Sequence, residues 1–164
     1  MVIATDNFGN TRKSISVDEK TKDEILFTKE YLEQGQITGN TIITQNNYNG
    51  TDGLSMTGNS INPSGMLYLQ NTHRWYKEVD LTNYNTLEFF VKKGQNHGVI
   101  FIVVDEKVEL HIDYNSLSTN WTKYKVDLSK YVGIHTISIV GGYIDRTGDT
   151  NSNTQYCDIK LTVN

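Results

Sequence analysis

Lys107-Val108-Glu109-Leu110-His111-Ile112-Asp113 alternates apolar and polar residues without a break. Successive side chains of a β-strand point to opposite faces. The segment therefore sets Val108, Leu110 and Ile112 against a core and Lys107, Glu109, His111 and Asp113 toward water, as expected of a half-buried antiparallel strand. The run before it, Val99 to Val104, is apolar on both faces and reads as a central strand, joined to its neighbour through Asp105-Glu106.

Working outward, further strands are expected over Thr41–Gln45, Gly53–Thr57, Met66–Leu69, His73–Leu81, Thr86–Lys92, Thr122–Leu128, His135–Val140 and Thr154–Val163. Asn46-Asn47-Tyr48-Asn49-Gly50, Lys93-Gly94-Gln95-Asn96 and Asp145–Asn153 carry turn chemistry, and the single proline, Pro63, sits in a loop. No apolar period of helical length follows residue 36. About ten short strands predict an all-β fold, an antiparallel two-sheet β-sandwich of the jelly-roll type. Residues 1–36 read as a linker, a helix or a first strand, and residues 37–164 as the sandwich. A short N-terminal helix over Lys20–Glu33, with Ser16 and Glu19 as a capping box, competes with a first strand over Glu24–Tyr31.

At 164 residues the chain suits one domain, long enough to bury about two thirds of its unfolded surface. The net charge of -4 is spread with no basic stripe, which argues against nucleic acid as a partner. The longest apolar run is too short to span a bilayer and no signal-type core follows Met1, so no membrane insertion is expected. The single cysteine, Cys157, shares an alternating run with Ile159, Leu161 and Val163 and reads as a small buried residue.

Two segments share a local grammar: Val79-Asp80-Leu81-Thr82-Asn83-Tyr84 leading into Leu87–Val91, and Trp121-Thr122-Lys123-Tyr124-Lys125-Val126-Asp127-Leu128. With Gly133–Ile137 and the closing strand Tyr156–Leu161, residues 36–164 resemble the galactose-binding-like jelly roll of many carbohydrate-binding modules. The Asn/Thr/Tyr-rich texture is similar to that of domains in the distal tail and baseplate proteins of phages of Gram-positive bacteria. The resemblance implies a cell-wall polysaccharide or oligosaccharide as ligand, other virion or assembly subunits as partners, and a virion (phage tail) or extracellular location.

Sugar recognition needs aromatic faces for C–H patches and planar polar groups for hydroxyls. His73-Arg74-Trp75-Tyr76 at a strand start and Tyr143, Asp145 and Arg146 at a strand end supply both, and sandwich rims could bring them together. Trp75 also alternates with Val79 and could equally be core, while Trp121 reads as structural, leading a strand that needs cover. Asp149-x-Asn151-x-Asn153 offers oxygen ligands at every second position, but Thr154 and Lys160 stand where a calcium loop of the EF-hand kind needs Gly and Glu. No cofactor is expected beyond a structural calcium, which in resembling modules involves an acidic residue of the last strand, here Asp158. No nucleophile elbow or phosphate loop occurs, and the carboxylates sit in turns without sign of convergence. The reading is a non-catalytic binding module. Its rivals are a structural spacer or protein-docking domain of a tail or adhesin, and an accessory module or fragment of a secreted glycoside-active enzyme.

Overall fold

The computed structural model describes residues 2–5, 11–14, 24–57, 73–94, 99–113, 115–141 and 153–163. In chain order the strands are β1 (Val2–Thr5), β2 (Thr11–Ser14), β3 (Glu24–Leu26), β4 (Gln36–Thr38), β5 (Thr41–Thr44), β6 (Gly53–Thr57) and β7 (His73–Asp80). They continue with β8 (Thr86–Lys93), β9 (Ile100–Val104), β10 (Lys107–Ile112), β11 (Thr122–Asp127), β12 (Ile134–Gly141) and β13 (Asn153–Thr162). One short helix, α1 (Lys29–Leu32), lies between β3 and β4. β1 and β2 pair with each other. The rest form two antiparallel sheets, β10-β9-β12-β7-β4 and β11-β8-β13-β6-β5, with β3 joining β13 beyond the end of β6. The fold is the expected all-β two-sheet sandwich, and from β5 onward its described strands match the expected segments to within a residue or two; β1, β2 and β4 were not expected, and Met66–Leu69 lies outside the described residues.

The sheets meet over a core in which Trp75, Ile102 and Ile139 face Leu54, Phe89 and Tyr156, all 0% exposed. Burying each such side chain contributes about 1.5–3 kcal/mol. The Tyr156 hydroxyl crosses between the sheets and donates to the Val140 carbonyl at 2.6 Å, which satisfies a polar group buried in the core. Burial there pushes its pKa well above 10.0.

β9 is central, as its apolar run implies. Ile100, Ile102 and Val104 enter the main core, while Phe101 and Val103 join Val99 and Val140 in a second cluster on the opposite face. β10 corrects the strict alternation read from its sequence. A register shift between Val108 and Leu110 makes Glu109 the extra residue of a bulge. Val108 consequently sits opposite Val103 and is 48% exposed, whereas Ile112 keeps its place in the core. A second bulge interrupts β13 between Cys157 and Lys160, with Asp158 in the left-handed region at φ 47°. Ile159 and Leu161 point into the core, whereas Cys157 is buried opposite Phe90 on the other side of the sheet. Burial pushes the Cys157 thiol up to about 11.

Residues 24–36 combine the two competing readings. Strand β3 gives way at Phe27 to a single helical turn, capped by the Thr28 hydroxyl accepting from the Tyr31 backbone N–H at 3.4 Å. Phe27 and Leu32 are buried in the main core. The capping box at Ser16 and Glu19 lies outside the described residues.

Candidate functional site

Alternation along β7 separates the four residues His73-Arg74-Trp75-Tyr76. His73 and Trp75 face inward and Arg74 and Tyr76 outward. Trp75 is 0% exposed, its indole N–H donates to the Leu32 carbonyl at 2.8 Å, and Phe27 packs 5.3 Å from its ring. It presents no face to a sugar, so the stacking role expected for it is corrected to a core role. Gly35 explains how closely the chain wraps it: a Cβ there would lie 2.2 Å from the Trp75 ring nitrogen. His73 is also structural. Its Nδ1 accepts from the Asn40 backbone N–H at 2.8 Å, tying down the turn around Gly39, where φ is 62°.

Arg74 and Tyr76 remain on the surface of the five-stranded sheet. The guanidinium lies 4.0 Å over the Tyr76 ring, and the Tyr76 hydroxyl donates to Gln36. A groove of about 500 Å³ beside them is lined by Gln34, Gln36, Tyr76, Lys77, Glu78 and Thr136. Its single ring is already covered on one side by Arg74. Tyr143, Asp145 and Arg146 lie outside the described residues, as do Asp149 and Asn151 of the expected calcium set. Asn153 and Asp158 both lie in β13, about 16 Å apart at the usual rise per residue, too far to share one ion. No group of three or more His, Cys, Asp or Glu that could hold a metal occurs among the described residues.

The opposite side of the sandwich, the outer face of the six-stranded sheet, gathers aromatic rings that sequence reading assigned to a loop and to structural cover. Its rows follow from the register. Phe90 is paired with Lys123 on one side and Cys157 on the other; Lys92 pairs with Gln155, which pairs with Ser55. Cys157, Gly53 and Ser55 are small and all three are buried, so the chain closes over the middle of this end of the face. Gly53 is obligatory here, because a Cβ would lie 1.9 Å from the Tyr156 carbonyl oxygen of the neighbouring strand.

Tyr48 reaches over this face from the β5–β6 connection, its ring 5.2 Å from Phe90 and stacked at 5.6 Å and 24° on Trp121, which leads into β11. Tyr48 is 41% exposed and Trp121 half-buried. The connection holds Tyr48 in place by local polar contacts. Asn46 and Asn49 take left-handed φ of 50° and 60°, and the Asn46 N–H donates to Asp52. The Thr51 hydroxyl donates to the Tyr48 carbonyl and accepts from the Asp158 N–H, both at 3.0 Å. Asp52 in turn accepts from the Lys29 N–H at 2.8 Å, linking the connection to α1.

Lys92 sits 4.8 Å over the Trp121 ring and opens a groove of about 470 Å³ lined by Lys92, Lys93, Gly94, Thr119, Asn153 and Gln155. Further along the face, Lys123 and Lys125 both reach the Glu88 carboxylate, the former at 2.7 Å. The lysine hydrogen bonds, Lys123 first, hold Glu88 below the usual carboxylate range. Tyr48 and Lys92 already lie over the Trp121 ring, so the exposed part of the stack is chiefly Tyr48; beside a shallow groove lined by amides, a hydroxyl and ammonium groups it can cover the C–H face of a pyranose while the groove bonds to hydroxyls.

No protein-family model matches the chain, and no curated protein matches it in sequence. Solved structures do resemble it. The family 36 carbohydrate-binding module of a multidomain xylanase from the hindgut metagenome of Trinervitermes trinervoides superposes with a TM-score of 0.53 at 11% identity, over 86% of this chain and 96% of that one. A family 36 module in complex with calcium and xylotriose gives 0.52 at 10% identity, covering 84% and 96%. A family 35 module from an environmental isolate gives 0.51 at 18% identity, covering 85% and 93%. At these identities the likeness is one of fold, and the fold is that of carbohydrate-binding modules.

Proposed function

We propose that this protein is a non-catalytic carbohydrate-binding domain and that the outer face of the six-stranded sheet, centred on Tyr48 and Trp121, is its saccharide site. The exposed Tyr48–Trp121 stack carries this reading. Two rings held together beside a polar groove are a costly arrangement for a surface that touches only water. Arg74 and Tyr76 provide a second surface of similar chemistry on the other sheet. Single sites of this shallow kind bind weakly, because every hydroxyl taken from water has to be re-bonded, so display in several copies would supply avidity.

The sequence texture supports a finer reading in which the ligand is a cell-wall saccharide and the domain is the host-adhesion part of a phage tail or baseplate protein. A second reading, favoured by the xylanase origin of one structural neighbour, is an accessory module of a secreted glycoside-active enzyme. Affinity electrophoresis of the protein through gels containing soluble polysaccharides tests the binding function. Retardation that Tyr48→Ala and Trp121→Ala abolish supports the site, and retardation that survives both moves it elsewhere. Labelling of intact Gram-positive cells by a fluorescent fusion, competed by soluble cell-wall polysaccharide, separates the adhesion reading from the accessory one.

A further inference from the structure

We infer that the saccharide taken by this face is anionic, carrying carboxylate or phosphate groups along its chain; the inference rests on the binding site proposed above and specifies its ligand class. Charge is distributed unevenly over the outer face of the six-stranded sheet although the chain as a whole is at -4. By register, the row Thr86, Asp127, Thr162, Glu24 lies at one end of the face, and the row Glu88, Lys125, Lys160 comes next. Then follow Phe90 with Lys123, and finally Lys92 with Gln155 beside Trp121. Asp127 and Glu24 therefore occupy the end remote from the aromatic stack and Lys92 the end that holds it, where Asp52, engaged by the Lys29 and Asn46 N–H groups, lies in the Tyr48 connection and Asp158 in the bulge of β13.

The acids at the remote end are already engaged. Asp127 accepts from the Ser129 N–H at 2.8 Å, and Glu24 pairs with Lys160 at 3.7 Å. Glu88, buried at 7% exposure, is shared by Lys123 and Lys125, which leaves that trio at a net positive charge. Lys92 has no carboxylate partner among the described residues, its contact being the Trp121 ring. Of the six described residues lining the adjoining groove, two are lysines and none is acidic. A groove of that composition, next to rings suited to a pyranose face, would hold a negatively charged substituent within reach of Lys92 while the sugar ring stacks.

The test compares three polymer probes in affinity electrophoresis and titration calorimetry: a neutral xylan, polygalacturonate and poly(glycerol phosphate). Binding to one or both anionic polymers that falls at least tenfold between about 50 mM and about 500 mM NaCl is expected, with the two polymers distinguishing carboxylate from phosphodiester recognition. Lys92→Gln should weaken that binding roughly three- to ten-fold, and Glu88→Gln, which removes the carboxylate shared by two lysines, should strengthen it. Thermal melts of both variants exclude unfolding as the cause. Binding to the neutral xylan alone, insensitive to salt and to Lys92→Gln, overturns the anionic assignment while leaving the saccharide site standing. Retention of none of the three overturns the anionic assignment too, and screening of further neutral glycans then decides whether the saccharide site stands.

Discussion

The two tryptophans of this chain should respond to alanine in opposite ways. Trp75 is 0% exposed, and its removal both opens a large cavity and leaves the Leu32 carbonyl without its indole donor. Truncating a buried Trp to Ala costs about 3–5 kcal/mol. At about 2–4 °C per kcal/mol for a chain of this length, Trp75→Ala should lower the melting temperature by roughly 6–20 °C. Trp75→Phe keeps most of the packing and loses the bond to Leu32, so it should cost about 1–3 kcal/mol. Trp121→Ala removes a stack on Tyr48 and a contact with Lys92, each contributing on the order of 1 kcal/mol at a half-exposed position. Its melting temperature should fall by roughly 4–8 °C, less than that of Trp75→Ala, while saccharide binding drops at least tenfold, or about 1.4 kcal/mol. Thermal melts followed by near-UV circular dichroism, paired with affinity electrophoresis, measure both quantities on the same samples. Were Trp75→Ala to melt like the parent and lose binding, the buried placement of Trp75 and the choice of face would both fall.

Gly53→Ala should destabilise by about 3 kcal/mol, since its Cβ would meet backbone and not a movable side chain; a melt within a degree of the parent would contradict the close approach of β6 to β13. Thr51→Val, which touches no proposed ligand, should weaken binding by releasing the Tyr48 carbonyl and the part-buried Asp158 N–H from the hydroxyl that joins them, at a cost of about 1–3 kcal/mol in the melt. His135 contacts Asp105 through Nδ1 at 2.5 Å and the Val132 carbonyl through Nε2 at 3.1 Å, an arrangement in which both nitrogens donate only when the ring is charged. The Asp105 bond raises the His135 pKa above 6.5, and the His135 bond holds Asp105 below 3.8. The pair's contribution is therefore full between about pH 4 and pH 6.5, fading above as the imidazole loses its proton and below as Asp105 gains one. His135→Gln should flatten the decline in melting temperature between pH 6 and pH 8.5, and a decline unchanged in the variant would assign it to another group.

Much of the sandwich was legible because its signals are local. β8, β9 and β12 carry their burial in composition, and β6 and β11 begin and end at turn residues that leave little choice of boundary. What misled were residues whose facing is set by a neighbouring strand. Strict alternation put Val108 inside until the bulge at Glu109 turned it out, and it put Cys157 with Ile159 and Leu161 until the bulge at Asp158 separated them. The N-terminal segment divides between strand and helix because β3 finds free edge on β13 only beyond the end of β6, after which Phe27 and Leu32 are drawn over Trp75.

The site was harder to read for a related reason. Adjacent residues with sugar-binding chemistry, such as His73-Arg74-Trp75-Tyr76, look like a cluster in sequence, yet a strand sends neighbours to opposite sides of the sheet and halves the cluster. Residues that do share a surface come from distant places: Tyr48 from a connection, Phe90 from β8 and Trp121 from the residue before β11. One signal was available beforehand. In a chain with two tryptophans, Trp75 has an alternating partner in Val79 and so a reason to be buried, whereas Trp121, read as cover for its strand, shares its alternation with Lys123 and Lys125 instead. Tyr48, flanked by Asn47, Asn49 and Gly50, likewise sits where the backbone turns and no core can claim the ring. Turn chemistry alone does not decide the matter, since Tyr84 and Tyr131 also lie in turns yet pack on or in the core; what sets Tyr48 apart is that its connection crosses the outer face of a sheet.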